Sequence, residues 1–388
     1  MPPLRILPLL STTFLIFLNT TLANGSDIKK QKDIVIYNDP QFFSAFPSIV
    51  TRPDGGLLVA FRRAPDRKVF GEKGTNHTDA NSYLVSVRSQ DNGETWTNTP
   101  ALIHAHAFGG SQDPCMVQLT DGTIVCSSYA WARVKDSVKE NFTSALRHNN
   151  FVFMGGYLVR SEDGGHTWSN PITPPAVPQS VTQSVFGEPC PAYNRGAMCQ
   201  TRDGKLHWAV CVQRQIKPRR AETHLLTSTD GGLNWQYSCP IASDPDGSFN
   251  ETSLYETPDG DLIAFMRTSD LGDHTYVARS TDGGKSFQPQ QDSTWQGHPH
   301  YALRLADNRV LLVYGYRHKP YGIRCRVLNA ECTDFTTAPE IILRTDGGGY
   351  DLGYPWATHT ADGRILVVYY FNKQNGTRHI AGTYLTLE

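Results

Sequence analysis

One short pattern of serine, aspartate, glycine and a closing aromatic residue occurs four times in this chain of 388 residues. The copies are SQDNGETW, SEDGGHTW, STDGGLNW and STDGGKSF, beginning at Ser89, Ser161, Ser228 and Ser280. Aspartate hydrogen-bonds its own backbone and glycine accepts positive φ, so each copy predicts a tight turn. Strand-like runs such as YLVSVR and GGYLVR accompany the copies. The copies are therefore expected to be strand-turn-strand units.

A second series of turns counts the repeating units. Six Asp-Gly or Asp-Asn turns each precede a β-rich run such as LLVAFRR or ILVVYYF, which is a strong hairpin signal. Their aspartates are Asp54, Asp121, Asp203, Asp259, Asp307 and Asp362, at intervals of 67, 82, 56, 48 and 55 residues. Each interval contains a copy of the longer pattern, or in the fifth case a remnant at 329–335. Units of about four strands with a period near ~50 residues are typical of a β-propeller. The sequence predicts an all-β, six-bladed propeller.

Composition agrees with one large β domain. Charged residues make up 19% of the chain, which contains 33 Gly and 24 Pro, as turn-dense β structure requires. Single β domains often exceed the average domain size. A separate segment precedes this domain: Arg5 is followed by an apolar stretch ending in Thr21-Leu22-Ala23, as at a secretory cleavage site. We expect a signal peptide at 1–23 and one propeller domain at 24–388.

These features predict a secreted glycoprotein. No other stretch approaches the ~20 apolar residues of a membrane span. Sequons that fit an exported protein stand at Asn24, Asn76, Asn141, Asn250 and Asn375. Eight cysteines are expected to be structural thiols or disulfides, with Cys190–Cys199 and Cys325–Cys332 as local pairs. No C-x-x-C spacing suggests a metal, and no organic cofactor is implied.

The charge balance argues against a polyanionic partner. With 36 basic and 37 acidic residues the formal net charge is -1, so nucleic acid is not an expected partner. The basic run at 214–220 is interpreted as a solvated loop. We expect a monomer whose partner is a small or oligomeric ligand.

The S-x-D-x-G-x-T-W repeat resembles the Asp-box of sialidases and related BNR-repeat proteins, and the order of strands and boxes is similar over nearly the whole mature chain. The resemblance implies a sialidase-like propeller with a ligand at the mouth of its axial channel. Sialidases hold an anionic sugar there with three arginines, protonate the leaving group with an aspartic acid, and attack the anomeric carbon with a tyrosine activated by glutamate. Fold alone does not establish that chemistry.

The resemblance assigns three of these roles directly. Glu251, before the fourth hairpin, matches the activating glutamate, and Arg267, at the end of the next strand, matches a carboxylate-binding arginine. Tyr354 follows a glycine shortly before the last hairpin, where the family has its nucleophile. A phenol has a pKa near ~10 and needs a neighbouring base such as Glu251.

The assignments of the acid and of the remaining arginines are less direct. Asp66 and Asp79 compete as the acid, and Asp79 is preferred because it precedes an ordered strand; a general acid needs a raised pKa.

The family's first arginine is missing, since Ala45 or Phe46 stands in its place, which puts sialic acid as substrate in doubt. The other predicted substrate-binding residues are Arg62, Arg63 or Arg195 as possible substitutes, Arg317 (ahead of Arg324) as third arginine, and His298 and Asp113.

One position before each hairpin is expected to face the axis. These positions are Phe46 to Ile49, Gln112-Asp113, Arg195, Glu251, His298 and Tyr354. The sequence thus predicts a secreted exo-glycosidase of sialidase type that removes a terminal, acidic sugar from glycans with retention. The alternatives are an exo-glycosidase or polysaccharide lyase acting on another sugar, such as a uronic acid or rhamnose, and a non-catalytic carbohydrate-binding propeller.

Overall fold

The computed structural model describes residues 28–72, 77–372 and 378–388. The predicted signal peptide at 1–23 lies outside these residues, as do the sequons at Asn24, Asn76 and Asn375. Within the described ranges no helix is long and apolar enough to cross a membrane. The helices there are two short 3-10 turns, Arg67–Phe70 and Asp136–Asn141.

The described residues form six antiparallel sheets, which are the blades of a propeller. The closing blade combines both ends of the described chain, and the others follow in sequence order. Strand β1 (Ile28–Tyr37) belongs to that closing blade. Blade 1 contains β2 (Phe42–Thr51), β3 (Leu57–Pro65), β4 (Tyr83–Ser89) and β5 (Ala101–His104). Blade 2 contains β6 (Gly110–Ser111), β7 (Cys115–Gln118), β8 (Ile124–Arg133), β9 (Arg147–His148) and β10 (Phe151–Ser161).

The remaining blades have four strands each. Blade 3 contains β11 (Cys199–Gln200), β12 (Leu206–Gln215), β13 (Arg220–Ser228) and β14 (Gln236–Ala242). Blade 4 contains β15 (Ser248–Glu256), β16 (Leu262–Ser269), β17 (His274–Ser280) and β18 (Gln291–Gln296). Blade 5 contains β19 (His300–Arg304), β20 (Val310–Tyr316), β21 (Gly322–Leu328) and β22 (Glu340–Arg344). Blade 6 contains β23 (Gly353–His359), β24 (Ile365–Asn372) and β25 (Arg378–Leu387), and β1 completes it by pairing with β25.

Both series of turns recur at fixed places in the blades. The six Asp-Gly or Asp-Asn turns join the first long strand of each blade to the second, as between β2 and β3 or β23 and β24. The serine-aspartate repeats begin at the ends of β4, β10, β13 and β17. In the first copy the Ser89 hydroxyl donates to Asp91 at 2.7 Å, and Asp91 accepts from the Thr95 backbone N–H at 2.9 Å. The remnant at 329–335 occupies the same place between β21 and β22. The predicted six-bladed fold is confirmed.

Apolar side chains fill the space between neighbouring blades. Strands such as LLVAF in blade 1 are buried on both faces, because each sheet packs against the sheet before it and the sheet after it. Leu58 of blade 1 packs in one cluster with Met116 and Cys126 of blade 2, and comparable clusters join the other neighbours. This burial supplies the main stabilisation of the ring, at about 25 cal/mol per Å² of apolar surface.

All eight cysteines are free thiols. Seven of them are buried, and Cys199 is half-buried. The local pairs Cys190–Cys199 and Cys325–Cys332 suggested by spacing are therefore not formed, and the alternative of structural thiols applies. Cys190 and Cys199 pack in different apolar clusters, and Cys325 and Cys332 likewise.

Candidate active site

Backbone irregularities in three blades aim side chains at the propeller axis. The pairing register shifts between Ala45 and Ser48 in β2, between Asn250 and Ser253 in β15, and between Gly353 and Trp356 in β23. Such β-bulges bend a strand and redirect a side chain. Inside them, the backbone φ values of Phe46, Glu251 and Tyr354 are 59°, 41° and 53°.

Positive φ is uncommon for residues other than glycine and costs backbone energy. Its recurrence at the same place in three inner strands marks these positions as functional candidates, as the sequence analysis expects.

Tyr354, Glu251 and Arg267 form one connected group. The Tyr354 hydroxyl donates to Glu251 Oε1 at 2.7 Å, and Arg267 Nη1 donates to Glu251 Oε2 at 2.6 Å. The same Arg267 nitrogen lies 3.2 Å from the Tyr354 oxygen. The three side chains come from blades 4 and 6, which are not adjacent, so the contact crosses the centre of the ring.

The environment keeps this glutamate charged and this tyrosine neutral. Burial would raise the pKa of Glu251, but the charge and hydrogen bond of Arg267 hold that pKa below its usual range. Burial and the negative charge of Glu251 together raise the pKa of Tyr354 well above 10, against the opposing charges of Arg267 and Arg317. A neutral phenol thus donates to a carboxylate, the arrangement required for a base to activate a nucleophile.

The group borders an open cavity of about 510 Å³, called here the axial cavity. Its lining comes from five blades, which places it at the axis. The lining residues are His77, His148, Glu251, Arg267, Asp273, His298, Arg317, Tyr350, Asp351 and Tyr354. Its volume is that of a small-ligand site.

Two predicted substrate-binding residues besides Arg267 reach the axial cavity. Arg317 donates through Nε to the Tyr350 carbonyl at 2.8 Å, and its guanidinium lies 5.8 Å from the centre of the Tyr354 ring. His298 is buried, and its Nδ1 has no hydrogen-bond partner. Burial and then the charges of Arg267 and Arg317 lower the pKa of His298, so its imidazole is neutral.

A second opening of about 350 Å³, the side cavity, shares Glu251 and Arg267 with the axial cavity. Aromatic and polar residues of blades 2, 3 and 4 line the rest, among them Tyr129, Trp131 and Arg195. Three hydrogen bonds hold Arg195, which donates to the carbonyls of Pro47 at 3.1 Å and Tyr354 at 3.3 Å and to Cys115 Sγ at 3.4 Å.

Asp113 lies beside this cavity, buried, with one carboxylate oxygen accepting from the Tyr129 hydroxyl at 2.8 Å. Burial raises the pKa of Asp113 in spite of the nearby Arg195 guanidinium. Asp113 has the φ of 23° that sets it apart from ordinary strand residues, and it stands in the break between β6 and β7.

Neither Arg62 nor Arg63 replaces the missing first arginine in this structure. Arg62 is fully buried, with its guanidinium 5.9 Å from the centre of the Phe46 ring, and burial lowers its pKa to about 10. Arg63 points elsewhere, donating to Asp39 and Tyr83, each at 2.9 Å. Among the described residues that line the axial cavity, the arginines are Arg267 and Arg317.

The two aspartates predicted as alternative acids are engaged in other contacts. Asp66 caps the first 3-10 turn by accepting from the Lys68 backbone N–H at 3.0 Å. Asp79 accepts from Arg67 through both oxygens, at 2.7 and 2.9 Å. Burial opposes the effect, but the Arg67 hydrogen bonds lower the pKa of Asp79. The structure therefore does not provide the raised pKa expected of an acid at Asp79, and Asp79 lines neither of the two cavities described above.

Sequence reasoning did not assign site roles to five residues of the axial cavity, which are His148, Asp273, Tyr350, His77 and Asp351. The last two form a pair. His77 Nδ1 lies 3.5 Å from Asp351 Oδ1, although the two are far apart in the chain. The available signal was their position: His77 is two residues from the preferred acid, and Asp351 is three residues before Tyr354. In the described residues no three His, Cys, Asp or Glu side chains are arranged to hold a metal ion.

The fold and its axial cavity define the class of sialidase-like β-propellers. Residues 142–367, more than half of the chain, match the family described as BNR repeat-like domain, and the chain belongs to that family.

Three relatives illustrate the likeness. A sialidase of Micromonospora viridifaciens is 26% identical over 275 residues, 68% of this chain but 39% of the relative. A crystal structure of a protein of unknown function from Dyadobacter fermentans is 55% identical, with a TM-score of 0.91 over 93% of this chain and 100% of that one. A Hadza microbial sialidase shares the fold at 19% identity, with a TM-score of 0.63 over 88% of this chain and 65% of that one. The chain spans about two fifths of the curated sialidase's length.

Proposed function

We propose that this protein is an exo-acting glycosidase that cleaves a terminal, anionic sugar from a glycan with retention of configuration. The observation that carries the proposal is the hydrogen bond of 2.7 Å from the Tyr354 hydroxyl to the Glu251 carboxylate. A lectin needs no charged base behind a buried phenol, whereas a nucleophile does. The sialidase relative, at 26% identity, gives independent support for the same reaction class.

The reaction proceeds in two balanced steps. In the first, the Tyr354 proton passes to Glu251 while the phenol oxygen bonds to the anomeric carbon. The glycosidic bond breaks, its electron pair goes to the leaving oxygen, and an acid protonates that oxygen. In the second, water attacks the anomeric carbon and the same acid group takes a proton from that water. The bond between the Tyr354 oxygen and the anomeric carbon breaks, its electron pair returns to the Tyr354 oxygen, and Glu251 gives its proton back to that oxygen. The net reaction is hydrolysis. The residue that the sequence analysis prefers as this acid, over Asp66, is Asp79.

Two arginines of the axial cavity could bind an anionic sugar, beside the carboxylates of Glu251, Asp273 and Asp351. Arg267 and Arg317 both line this cavity and can donate to a substrate carboxylate. A second candidate keeps the same chemistry but uses another sugar, such as a uronic acid or rhamnose. The observation that favours it is Phe46, whose ring packs 4.9 Å from the Tyr354 ring centre where the family has its first arginine. An arginine clamp of two members binds a carboxylate less tightly than one of three.

The test is a panel of fluorogenic glycosides that differ only in the terminal sugar, comprising sialosides, uronides and rhamnosides. We expect turnover of an anionic glycoside by the wild type, with Tyr354→Phe as the matched inactive control. Nuclear magnetic resonance of the first product gives the stereochemistry, which should be retained. Binding of glycans without turnover of any member would contradict the proposal and support the lectin alternative.

Location and assembly remain part of the proposal. The apolar segment before residue 24 predicts export, and the chain is proposed to act as a monomer on extracellular glycans. Fractionation of producing cells tests the first point, because an exported protein accumulates outside the cell without residues 1–23. Size-exclusion chromatography with light scattering tests the second.

A further inference from the structure

The imidazole of His298 lies in the wall of the axial cavity without a hydrogen bond at Nδ1. The residue is 6% exposed, and the described residues give its Nδ1 no partner. A buried polar atom without a partner costs folding stability, so each one calls for an explanation. His300 also has an unpartnered Nδ1, but its Nε2 lies 2.8 Å from Thr275 Oγ1 and it lines neither cavity. The protein holds the ring of His300, whereas the ring of His298 borders a space that a ligand can fill.

A close approach of two backbone segments fixes the position of His298. Its N–H donates to the Gly315 carbonyl at 2.9 Å, and Gly315 stands two residues before Arg317. A Cβ atom at Gly315 would lie 2.8 Å from the His298 carbonyl oxygen and 3.6 Å from the Tyr354 nitrogen. The segments of His298 and Tyr354 can therefore lie side by side because residue 315 is a glycine. A fixed backbone thus carries this imidazole next to the segment of the nucleophile.

The charges that act most strongly on His298 are cationic. Burial, and then Arg267 and Arg317, lower the pKa of His298, so its imidazole is neutral. Because Nδ1 makes no bond, no contact there fixes the tautomer, and Nε2 can be a donor or an acceptor. A guanidinium has donors only, so a ligand group that reaches Arg267 or Arg317 must supply an acceptor. The same acceptor favours the tautomer in which Nε2 is the donor.

Carboxylates of the same cavity do not remove the positive surroundings of this imidazole. Glu251, Asp273 and Asp351 line the cavity. Arg267 lies 2.6 Å from Glu251, and Arg378 lies 3.0 Å from Asp351. Two of the three negative charges are therefore paired with cations of the protein, and a ligand carboxylate does not face three uncompensated charges.

We propose that His298 is a specificity-determining residue that donates a ring N–H to the carboxylate of the substrate, beside Arg267 and Arg317. This inference rests on the proposed function, since it concerns the acidic group of that substrate. Hydrogen bonds to a charged acceptor are stronger than those to a neutral one. His298 therefore raises the affinity for a sugar acid more than the affinity for the same sugar with a neutral group in place of the carboxylate.

The experiment compares each sugar acid with its methyl ester, which lacks the negative charge. Equilibrium binding is measured by isothermal titration calorimetry with N-acetylneuraminic, glucuronic and galacturonic acids and their methyl esters. We expect the wild type to bind one acid more tightly than its ester. His298→Leu should weaken binding of that acid by about 10- to 100-fold, and binding of its ester several-fold less.

Two further variants separate hydrogen bonding from shape. His298→Gln should recover part of the lost affinity for the acid, because its amide supplies an N–H donor. His274→Gln is the matched control and should leave both affinities unchanged. The His274 imidazole lies 3.0 Å from Asp292 Oδ2 in blade 4 and lines neither cavity. Binding of the ester by His298→Leu, with its midpoint of thermal unfolding, shows that the cavity and the fold persist.

Two results would overturn the assignment while leaving the glycosidase proposal to its own test. In the first, His298→Leu weakens binding of acid and ester equally or not at all, so the ring only shapes the cavity. In the second, the wild type binds no acid more tightly than its ester. A third result separates the two proposals: an acid bound through His298, with no glycoside turned over, would refute the glycosidase and keep His298 as a carboxylate-binding residue.

Discussion

The Tyr354 hydroxyl lies 2.7 Å from Oε1 of Glu251, a residue 103 positions earlier in the chain. Each residue has positive φ inside a bulge of an inner strand. The contact joins blades 4 and 6 across the axis, and Arg267 closes the triangle from β16. The catalytic proposal therefore depends on the backbone geometry of the two bulges that position Glu251 and Tyr354.

Tyr354→Phe tests the nucleophile with the least change of shape. The variant loses one hydroxyl, which removes both the nucleophile and the donor to Glu251. We expect kcat to fall on the order of 10³-fold or more, with substrate binding largely kept. Single-turnover kinetics measure the loss. Tyr369→Phe, a strand tyrosine that bonds Thr383 and Arg344 outside the axial cavity, is the control and should keep its activity. Residual activity above a tenth of wild type would argue against Tyr354.

The pH profile tests the charge state of Glu251. Glu251 must be ionised to accept the phenol proton, and Arg267 holds its pKa below 4.5. The acid limb of kcat/KM that belongs to Glu251 should therefore lie below pH 4.5. In Arg267→Met the effect of burial on the pKa of Glu251 is opposed by the Tyr354 hydrogen bond and the Arg317 charge alone, so this limb should move upward by about 1–3 pH units.

Arg63→Met removes a cation outside the axial cavity and should leave the limb where it was. If the acid limb of the kcat/KM profile stays at the same pH in Arg267→Met, a group other than Glu251 determines that limb.

Phe46→Arg tests whether the missing arginine can simply be restored. Phe46 is buried between the rings of Tyr354 and Tyr370, and the buried Arg62 guanidinium lies 5.9 Å from its ring centre. A second cation there lacks space and lies close to the charge of Arg62, so we expect lower stability than for the conservative Phe46→Leu. Phe46→Ala should cost about 3–5 kcal/mol through its cavity.

Urea unfolding measures all three Phe46 variants. A Phe46→Arg protein as stable as wild type, and tighter in binding sialosides, would show that the site can accept the third arginine.

Asp91→Asn tests the repeated turn. In the wild type its carboxylate accepts from Thr95 and Ser89, which lowers the pKa of Asp91 from 3.8 to about 2. A depressed folded-state pKa gives stability that is present above pH 3.8 and lost as the pH falls through about 2.

Asp91→Asn should therefore lower the midpoint of thermal unfolding at pH 7, and the difference from wild type should shrink towards pH 2. Activity at pH 7 should be unchanged, because the turn follows β4, away from the axial cavity. An equal midpoint difference at both pH values would contradict the hydrogen-bonding role.

The six hairpins were predictable because an Asp-Gly turn between apolar runs is a local signal, read without knowledge of the rest of the fold. The role of β1 was not, since a strand reading IKKQKDIVIY has mixed polarity and gains its place only from pairing with β25 at the other end of the chain. Bulges at Phe46, Glu251 and Tyr354 leave no pattern of residue types, because they depend on backbone pairing.

Ion pairs account for what the sequence missed at the site. Arg67 and Asp79 are close in sequence, but nothing in their spacing distinguishes a bidentate pair from two solvated side chains. Asp351 reaches His77 only because blades 1 and 6 are neighbours in a closed ring. Glu251, Arg267 and Tyr354 could be proposed because each stands beside a hairpin that resembles one in a known family.

The pairing of β1 with β25 has a consequence for biogenesis. Blade 6 carries Tyr354, yet its outermost strand, β1, is made before the other five blades and its neighbour, β25, after them. The polypeptide between these two strands must therefore be synthesised before the circle can shut and Tyr354 is locked in position.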